Sequence, residues 1–379
     1  MTEKLYYQDA YIKEFTASVV TKERVEAGYL VELDRTAFFP EEGGQTSDTG
    51  VIGGARVIDV KEQDGRILHL LEADPGDGEV YCRLDFDKRF EKMQCHTAEH
   101  ILCGIIHERH GYDNVGFHLG DDIVTFDVDG ELSSDEIDEV ERLANLAVMT
   151  NRSVITSFPS EAELASLTYR SKLDIKDGVR IVRIEGVDSC ACCAPHVAQT
   201  GEIGMIKIID YMRHRGGMRL FMVAGTRALD DYKKRYAITR AIGAKTSTPS
   251  LEALSAVGHL EDEILRLEAE LSASKRRIAD LYIGAIPSVE GNYVLPVEGL
   301  GMEEMRHIAN TAKSRIAGTL ILLCGLDGDF RYLMISEGAD MGARAREINS
   351  ALHGKGGGRG EMITGTLSAS LCEIEAYFK

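Results

Sequence analysis

Two histidines, and far downstream a cysteine and a third histidine, are the side chains of this sequence best suited to hold a metal ion. Gln94-Cys95-His96-Thr97-Ala98-Glu99-His100 sets His96 and His100 four apart, and Ser189-Cys190-Ala191-Cys192-Cys193-Ala194-Pro195-His196 sets Cys192 and His196 four apart. On a helix, positions i and i+4 leave from one face, so the first two imidazoles can converge on one ion. Imidazole and thiolate suit Zn²⁺, whereas Mg²⁺ and Ca²⁺ prefer oxygen. Spacing alone leaves the ligand set open, because Cys103 and His107 continue the helical stripe and Cys190 and Cys193 flank Cys192.

A rival chemistry overlaps the first. His96-Thr97-Ala98-Glu99-His100 also fits H-x-x-E-H, in which the glutamate is the general base of a zinc metallopeptidase. Such an enzyme needs a carboxylate as its remaining ligand, and the downstream candidates here are cysteine and histidine, so the peptidase is the alternative reading. Two glycine-rich stretches invite ligands of their own. Phe38-Phe39-Pro40-Glu41-Glu42-Gly43-Gly44-Gln45 reads as a turn whose paired glycines let the backbone approach a ligand. Gly354-Lys355-Gly356-Gly357-Gly358-Arg359-Gly360 reads as a loop in which open amides and two cations form a phosphate cradle. It lacks the Gly-Lys-Ser/Thr of a P-loop.

The scaffold that must position these groups divides into four parts. Short alternating runs separated by Gly and Asp turns predict a compact β-barrel over residues 1–88. A helix over 89–110, closed by Gly111, then carries the first histidine pair. A strand at 123–128, a capped helix from Ser133, and strands at 179–184, 204–209 and 218–223 complete an α+β domain over 89–225. From 226 to 284 the chain is helical. Val257, Ile264, Leu271 and Ile278, with Leu260, Leu267, Ser274 and Leu281 between them, form a heptad pattern that serves a hairpin or a dimer. Residues 285–379 alternate strand and helix.

At 379 residues with 44% apolar content, the chain has room for two or three cored domains. No apolar run has signal-peptide or membrane-spanning character, so no membrane is expected and the cytoplasm is the expected location. Eight mostly scattered cysteines fit reduced thiols and a metal site rather than a disulfide framework. A net charge of −19 argues against indiscriminate binding to DNA or anionic lipid. Between residues 211 and 245 the balance reverses, and Arg213 and Arg215 lead a basic run suited to tracking a phosphate backbone.

Taken together, His-x-x-x-His at 96–100, Cys-x-x-x-His at 192–196, Phe39-Pro-Glu-Glu-Gly-Gly-Gln45 and Thr200-Gly-Glu-Ile-Gly204 resemble the editing domain of alanyl-tRNA synthetases and their free-standing relatives, the AlaX proteins. The glycine-rich stretch after the heptads resembles the DHH-associated C-terminal domain of the long forms. The resemblance implies a cytoplasmic trans-editing hydrolase, an aminoacyl-tRNA deacylase that removes serine or glycine from tRNA(Ala). It implies Zn²⁺ held by His96, His100, Cys192 and His196, with Gly43, Gly44, Gln45 and Thr97 near the amino acid. Glu99, His118 and Gln45 are the candidates for assisting the chemistry. Arg213, Arg215, Lys355 and Arg359 are the candidates for holding tRNA, and a homodimer through the heptads or the C-terminal domain is a further expectation. Where the family has Cys-Gly-Gly-Thr-His this chain has Cys192-Cys193-Ala194-Pro195-His196. A non-catalytic tRNA-binding protein with structural zinc is the remaining alternative.

Overall fold

Six antiparallel strands close into a barrel near the start of the chain: β1 (Glu14–Val25), β2 (Gly28–Leu33), β3 (Gly50–Ile52), β4 (Ala55–Gln63), β5 (Arg66–Leu71) and β6 (Glu79–Leu84). Their order around the barrel is β1-β2-β5-β4-β3-β6, with β6 pairing back onto β1. The computed structural model describes residues 2–171 and 178–379. Alternation sends Val31, Leu33, Ile67, Leu71, Val80, Cys82 and Leu84 inward. In β4 a bulge between Val57 and Asp59 breaks the strict alternation, so that Val57 and Val60 both enter the core.

The chain then enters α1 (Phe86–His110), closed by Gly111 in the left-handed conformation at φ 71°. Sixteen of its residues are buried, and they include Arg89, Lys92, Gln94, His96, Thr97, Glu99 and His100. A helix with this many interior polar groups needs a partner for each. Arg89 meets Asp48 and donates to the carbonyl of Ala37, and Lys92 donates to the carbonyls of Thr46 and Ser47. These bonds tie the helix to the barrel. Accordingly the chain falls into two compact units, Met1–Thr239 and Arg240–Lys379, and the expected division at residue 88 lies inside the first.

On its other side α1 packs with α2 (Ser134–Met149) against a sheet ordered β12-β13-β8-β7. Its strands are β7 (Asn114–Leu119), β8 (Val124–Val128), β12 (Ile206–His214) and β13 (Gly217–Ala224). Ser133 and Glu136 form a capping box at the start of α2. A smaller sheet, β9-β10-β11 (Val154–Ser157, Ile181–Ile184 and Asp188–Ala191), carries the chain into the cysteine cluster. Helix α3 follows at Thr226–Thr246.

The second unit contains α4 (Ala253–Ala285) and a five-stranded sheet ordered β14-β15-β16-β18-β17. Its strands are β14 (Tyr293–Pro296), β15 (Leu320–Leu326), β16 (Asp329–Ile335), β17 (Gly354–Arg359) and β18 (Met362–Leu367), and α5 (Met302–Ala312), α6 (Met341–Ala351) and α7 (Leu371–Phe378) flank them. The glycine-rich stretch expected to be a loop is therefore the edge strand β17. Its composition reflects close packing. A Cβ at Gly356 would collide with the Thr364 carbonyl and the Tyr332 hydroxyl.

Candidate metal centre and its cavity

Three imidazoles and one sulfur meet where α1 faces the segment after β11. The donor atoms of His96, His100, Cys192 and His196 all lie within 4.8 Å of one another. Cys192 Sγ is 3.5 Å from His96 Nε2 and 3.4 Å from His196 Nε2. The helical i, i+4 spacing supplies the first pair, and the turn after β11 supplies the second.

Each imidazole is held from behind through its other nitrogen. His96 Nδ1 lies 3.0 Å from Gln45 Oε1, and His100 Nδ1 lies 3.1 Å from Asp188 Oδ2. His196 Nδ1 lies 3.0 Å from Thr97 Oγ1, which itself donates to the Met93 carbonyl at 2.7 Å. That hydroxyl has spent its proton, so it accepts from His196. A side-chain carbonyl, a carboxylate and this hydroxyl thus all accept Nδ1–H, which turns three Nε2 lone pairs towards the centre. The donor chemistry and the tautomers fit a metal ion that prefers nitrogen and sulfur.

The local charges agree with that fit. Burial opposes ionisation of Cys192, yet the His96 and His100 rings around it hold its thiol well below the usual range, and the Asp188 carboxylate and this sulfur outweigh burial to hold His100 well above its own. Burial depresses His196 to about 3, leaving a neutral ring. Burial likewise opposes charge on Asp188, but His100 and Arg170 outweigh it and keep it a carboxylate. Arg170 grips Asp188 through two bonds of 2.9 Å. Arg180 donates to the carbonyls of Cys192 and Ala194 at 2.9 and 2.8 Å, which fixes the turn that presents the thiolate.

His96, His100 and Cys192 open onto a cavity of about 260 Å³ walled by Tyr7, Glu42, Gly43, Glu99, Arg170 and Arg180. Glu99 is 1% exposed. Its Oε1 accepts from Asn114 and from the Cys103 thiol, and its Oε2 stands 3.9 Å from His100 Nε2. A fixed carboxylate beside the metal donors can accept a proton from a water or hold an amine.

Other expected residues fall elsewhere. Thr97 has no exposed surface and serves His196 rather than the cavity. Gln45 is 1% exposed and serves His96. His118 is exposed and does not line the cavity, because strand alternation in β7 lays Phe117 on the His96 ring at 4.6 Å and turns its neighbour the other way. The Glu42–Gln45 segment is a two-residue turn with φ 62° at Gly43 and 82° at Gly44, which glycines adopt without strain. Gly43 reaches the cavity, while Gly44 abuts the Phe117 carbonyl. Cys193 faces Glu42, and Cys190 groups with His100 and Asp188.

Much of the basic run is already matched by acids from elsewhere in the chain. Arg219 pairs with Asp127, Arg227 with Glu91, and Arg213 with Glu131. Arg213 remains exposed, as does Arg215 at the tip of the β12–β13 hairpin, and Lys355 and Arg359 are exposed on β17. Sequence reasoning missed Asp188, Asn114 and Phe117. A carboxylate four residues before Cys192 was the available signal for the first; the other two depend on strand pairing.

Known proteins share this arrangement of sequence. The family described as "Threonyl and Alanyl tRNA synthetase second additional domain" matches residues 179–221. The alanyl-tRNA editing protein AlaX-L of Pyrococcus horikoshii is 31% identical, over 99% of this chain and 96% of its own length. An alanine–tRNA ligase of Ignicoccus hospitalis is 30% identical over 99% of this chain, which spans only 42% of that enzyme. Among solved structures, the C-Ala domain of Aquifex aeolicus alanyl-tRNA synthetase matches 23% of this chain and 86% of its own at 17% identity, with a TM-score of 0.20, too slight a likeness to define a fold.

Proposed function

Because the chain belongs to the family of alanyl-tRNA editing proteins of the AlaX-L type, we propose that it is an aminoacyl-tRNA deacylase that hydrolyses the ester of a wrong amino acid, serine or glycine, on tRNA(Ala). The observation that carries this reading is the convergence of His96, His100, Cys192 and His196, the first three of which line a small cavity. These residues would hold Zn²⁺, and with one coordination position left open, as by a displaceable Cys192, the chemistry supplied there would be polarisation of the ester carbonyl or of a bound water.

The chain's own side chains do the rest. Gln45, Asp188 and Thr97 keep the three rings oriented, and Arg180 holds the Cys192 turn. Glu99 would take a proton from the attacking water, with Asn114 fixing its other oxygen. Glu42 and Glu99 give the substrate amine an acidic wall. The cavity lies below the roughly 300–1,000 Å³ usual for drug-sized ligands, which suits a small aminoacyl group. Glu42 and Glu99 in its wall would accept from a hydroxyl-bearing side chain. Alanine, and glycine with it, would leave them unpaired, so this argument serves serine; a site that hydrogen-bonds a hydroxyl can reject its absence by about 10⁴-fold or more.

The second unit, read as a DHH-associated domain, would help hold the tRNA through Lys355 and Arg359, with Arg213 and Arg215 of the first unit as further phosphate contacts. The peptidase reading loses ground because the donors completing the set are Cys192 and His196 rather than a carboxylate. The test is a deacylation panel of seryl-, glycyl- and alanyl-tRNA(Ala). The proposal expects rapid loss of serine or glycine with alanine spared; equal rates on all three would remove the selectivity, and no hydrolysis of any would favour a structural metal.

A further inference from the structure

A row of aromatic rings runs from beside the metal donors to the surface. Phe39 and Tyr6, both buried, form an apolar cluster against which Tyr7, Cys192 and Cys193 pack. Each ring meets the next near a right angle, Phe39 and Tyr6 at 5.4 Å between centroids, Tyr6 and Tyr7 at 4.7 Å, and Tyr7 and Phe158 at 5.4 Å. Tyr7 lines the cavity, and Arg180 and Lys4 lie over its ring. Phe158 ends the row and is 54% exposed. A scattered exposed phenylalanine is ordinary. This one is braced against a residue of the cavity wall.

The size of the cavity says which part of a substrate would meet that ring. If the cavity is a deacylation site, the reading on which this inference rests, its substrate is a small amino acid esterified to the terminal nucleoside of a tRNA. Buried His96, Glu99 and His100 lie at the inner end, and exposed Glu42, Gly43 and Ser171 at the rim. About 260 Å³ takes an aminoacyl group but falls short of the roughly 300–1,000 Å³ of sites for drug-sized ligands, the size class of an aminoacyl-nucleoside. With the ester at the inner end, the nucleoside stays at the rim. Unpaired bases are held there by exposed aromatic rings, since every base has a π-face. We propose that Phe158 stacks on the terminal base of the tRNA, with Tyr7 as the positioning residue that fixes its ring.

Titration calorimetry on the full chain tests this with two probes, seryl-adenosine carrying an amide in place of the ester, and the same molecule without its base. The wild type is expected to bind the base-bearing probe about tenfold more tightly, the scale of one stacked base. Phe158→Ala should erase that preference and Phe158→Tyr keep it, both with unchanged circular dichroism. On seryl-tRNA(Ala), Phe158→Ala should raise KM by a similar factor and leave kcat close to wild type. Equal affinity for the two probes, or no binding of either, would overturn the proposal, as would a preference that survives Phe158→Ala. A wild type that deacylates seryl-tRNA(Ala) and gives any of those results loses the stacking site alone. One that deacylates no tRNA loses the reading of the cavity, and the proposal with it.

Discussion

At the residue scale, the centre is built from donors that the sequence advertises and from supports that it does not. His96, His100, Cys192 and His196 are legible because metal binding restricts residue type and helical geometry restricts spacing. Thr97, Gln45 and Asp188 are not, because which acceptor sits behind a ring is decided by tertiary packing. Thr97 therefore reads as a substrate contact in the sequence and as a histidine support in the fold. Thr97→Val keeps the shape but removes the acceptor, and loss of such a support typically costs 10–100-fold in metal affinity or activity. Competition with a chromogenic chelator should show metal affinity lowered by about that factor, with the far-ultraviolet dichroism unchanged. His118→Ala offers the opposite control. Since the ring points away from the cavity, kcat/KM for deacylation should stay within about twofold of wild type, an effect under ~0.5 kcal/mol.

At the scale of elements, the junction between barrel and α1 holds the site in place. Arg89 is 1% exposed and Asp48 3%, and both are paired. Arg89→Met would leave Asp48 buried without its cation, which typically costs about 3–5 kcal/mol; urea unfolding should register that loss. The barrel also carries a pH liability. His69 is fully buried, its Nδ1–H donating to the Val31 carbonyl at 3.1 Å and its Nε2 accepting from the Thr36 hydroxyl at 2.9 Å, and burial depresses it to about 4. The unfolded chain binds this proton from about pH 6.5 downward while the folded chain resists it. Stability is thus full above about 6.5 and is lost as pH falls towards 4, by at most ~1.4 kcal/mol per unit. Urea midpoints between pH 7 and 4.5 should fall, and His69→Gln should flatten that slope. Helices α1 and α2 were legible from their caps and closing glycine. Strand β17 was not, because glycines leave no alternation to see, and β3 has only three residues.

At the scale of the whole molecule, an acidic chain must bind an acidic partner through local footprints. A net charge of −19 opposes tRNA everywhere except where cations stand clear of their own acids. Arg219 and Arg227 do not stand clear, which the sequence hid because Asp127 and Glu91 come from distant segments. Lys355 and Arg359 are exposed on β17. Lys355→Ala with Arg359→Ala should weaken tRNA binding and reduce the slope of log affinity against log salt by about one to two, leaving kcat at saturation unchanged. The clustered donors and the hydrolysis should be one site. The direct measurement follows bound metal and seryl-tRNA(Ala) deacylation in the same samples as a chelator strips the protein. Activity should fall in proportion to the metal lost and return on adding Zn²⁺; full activity in folded, metal-free protein would contradict it.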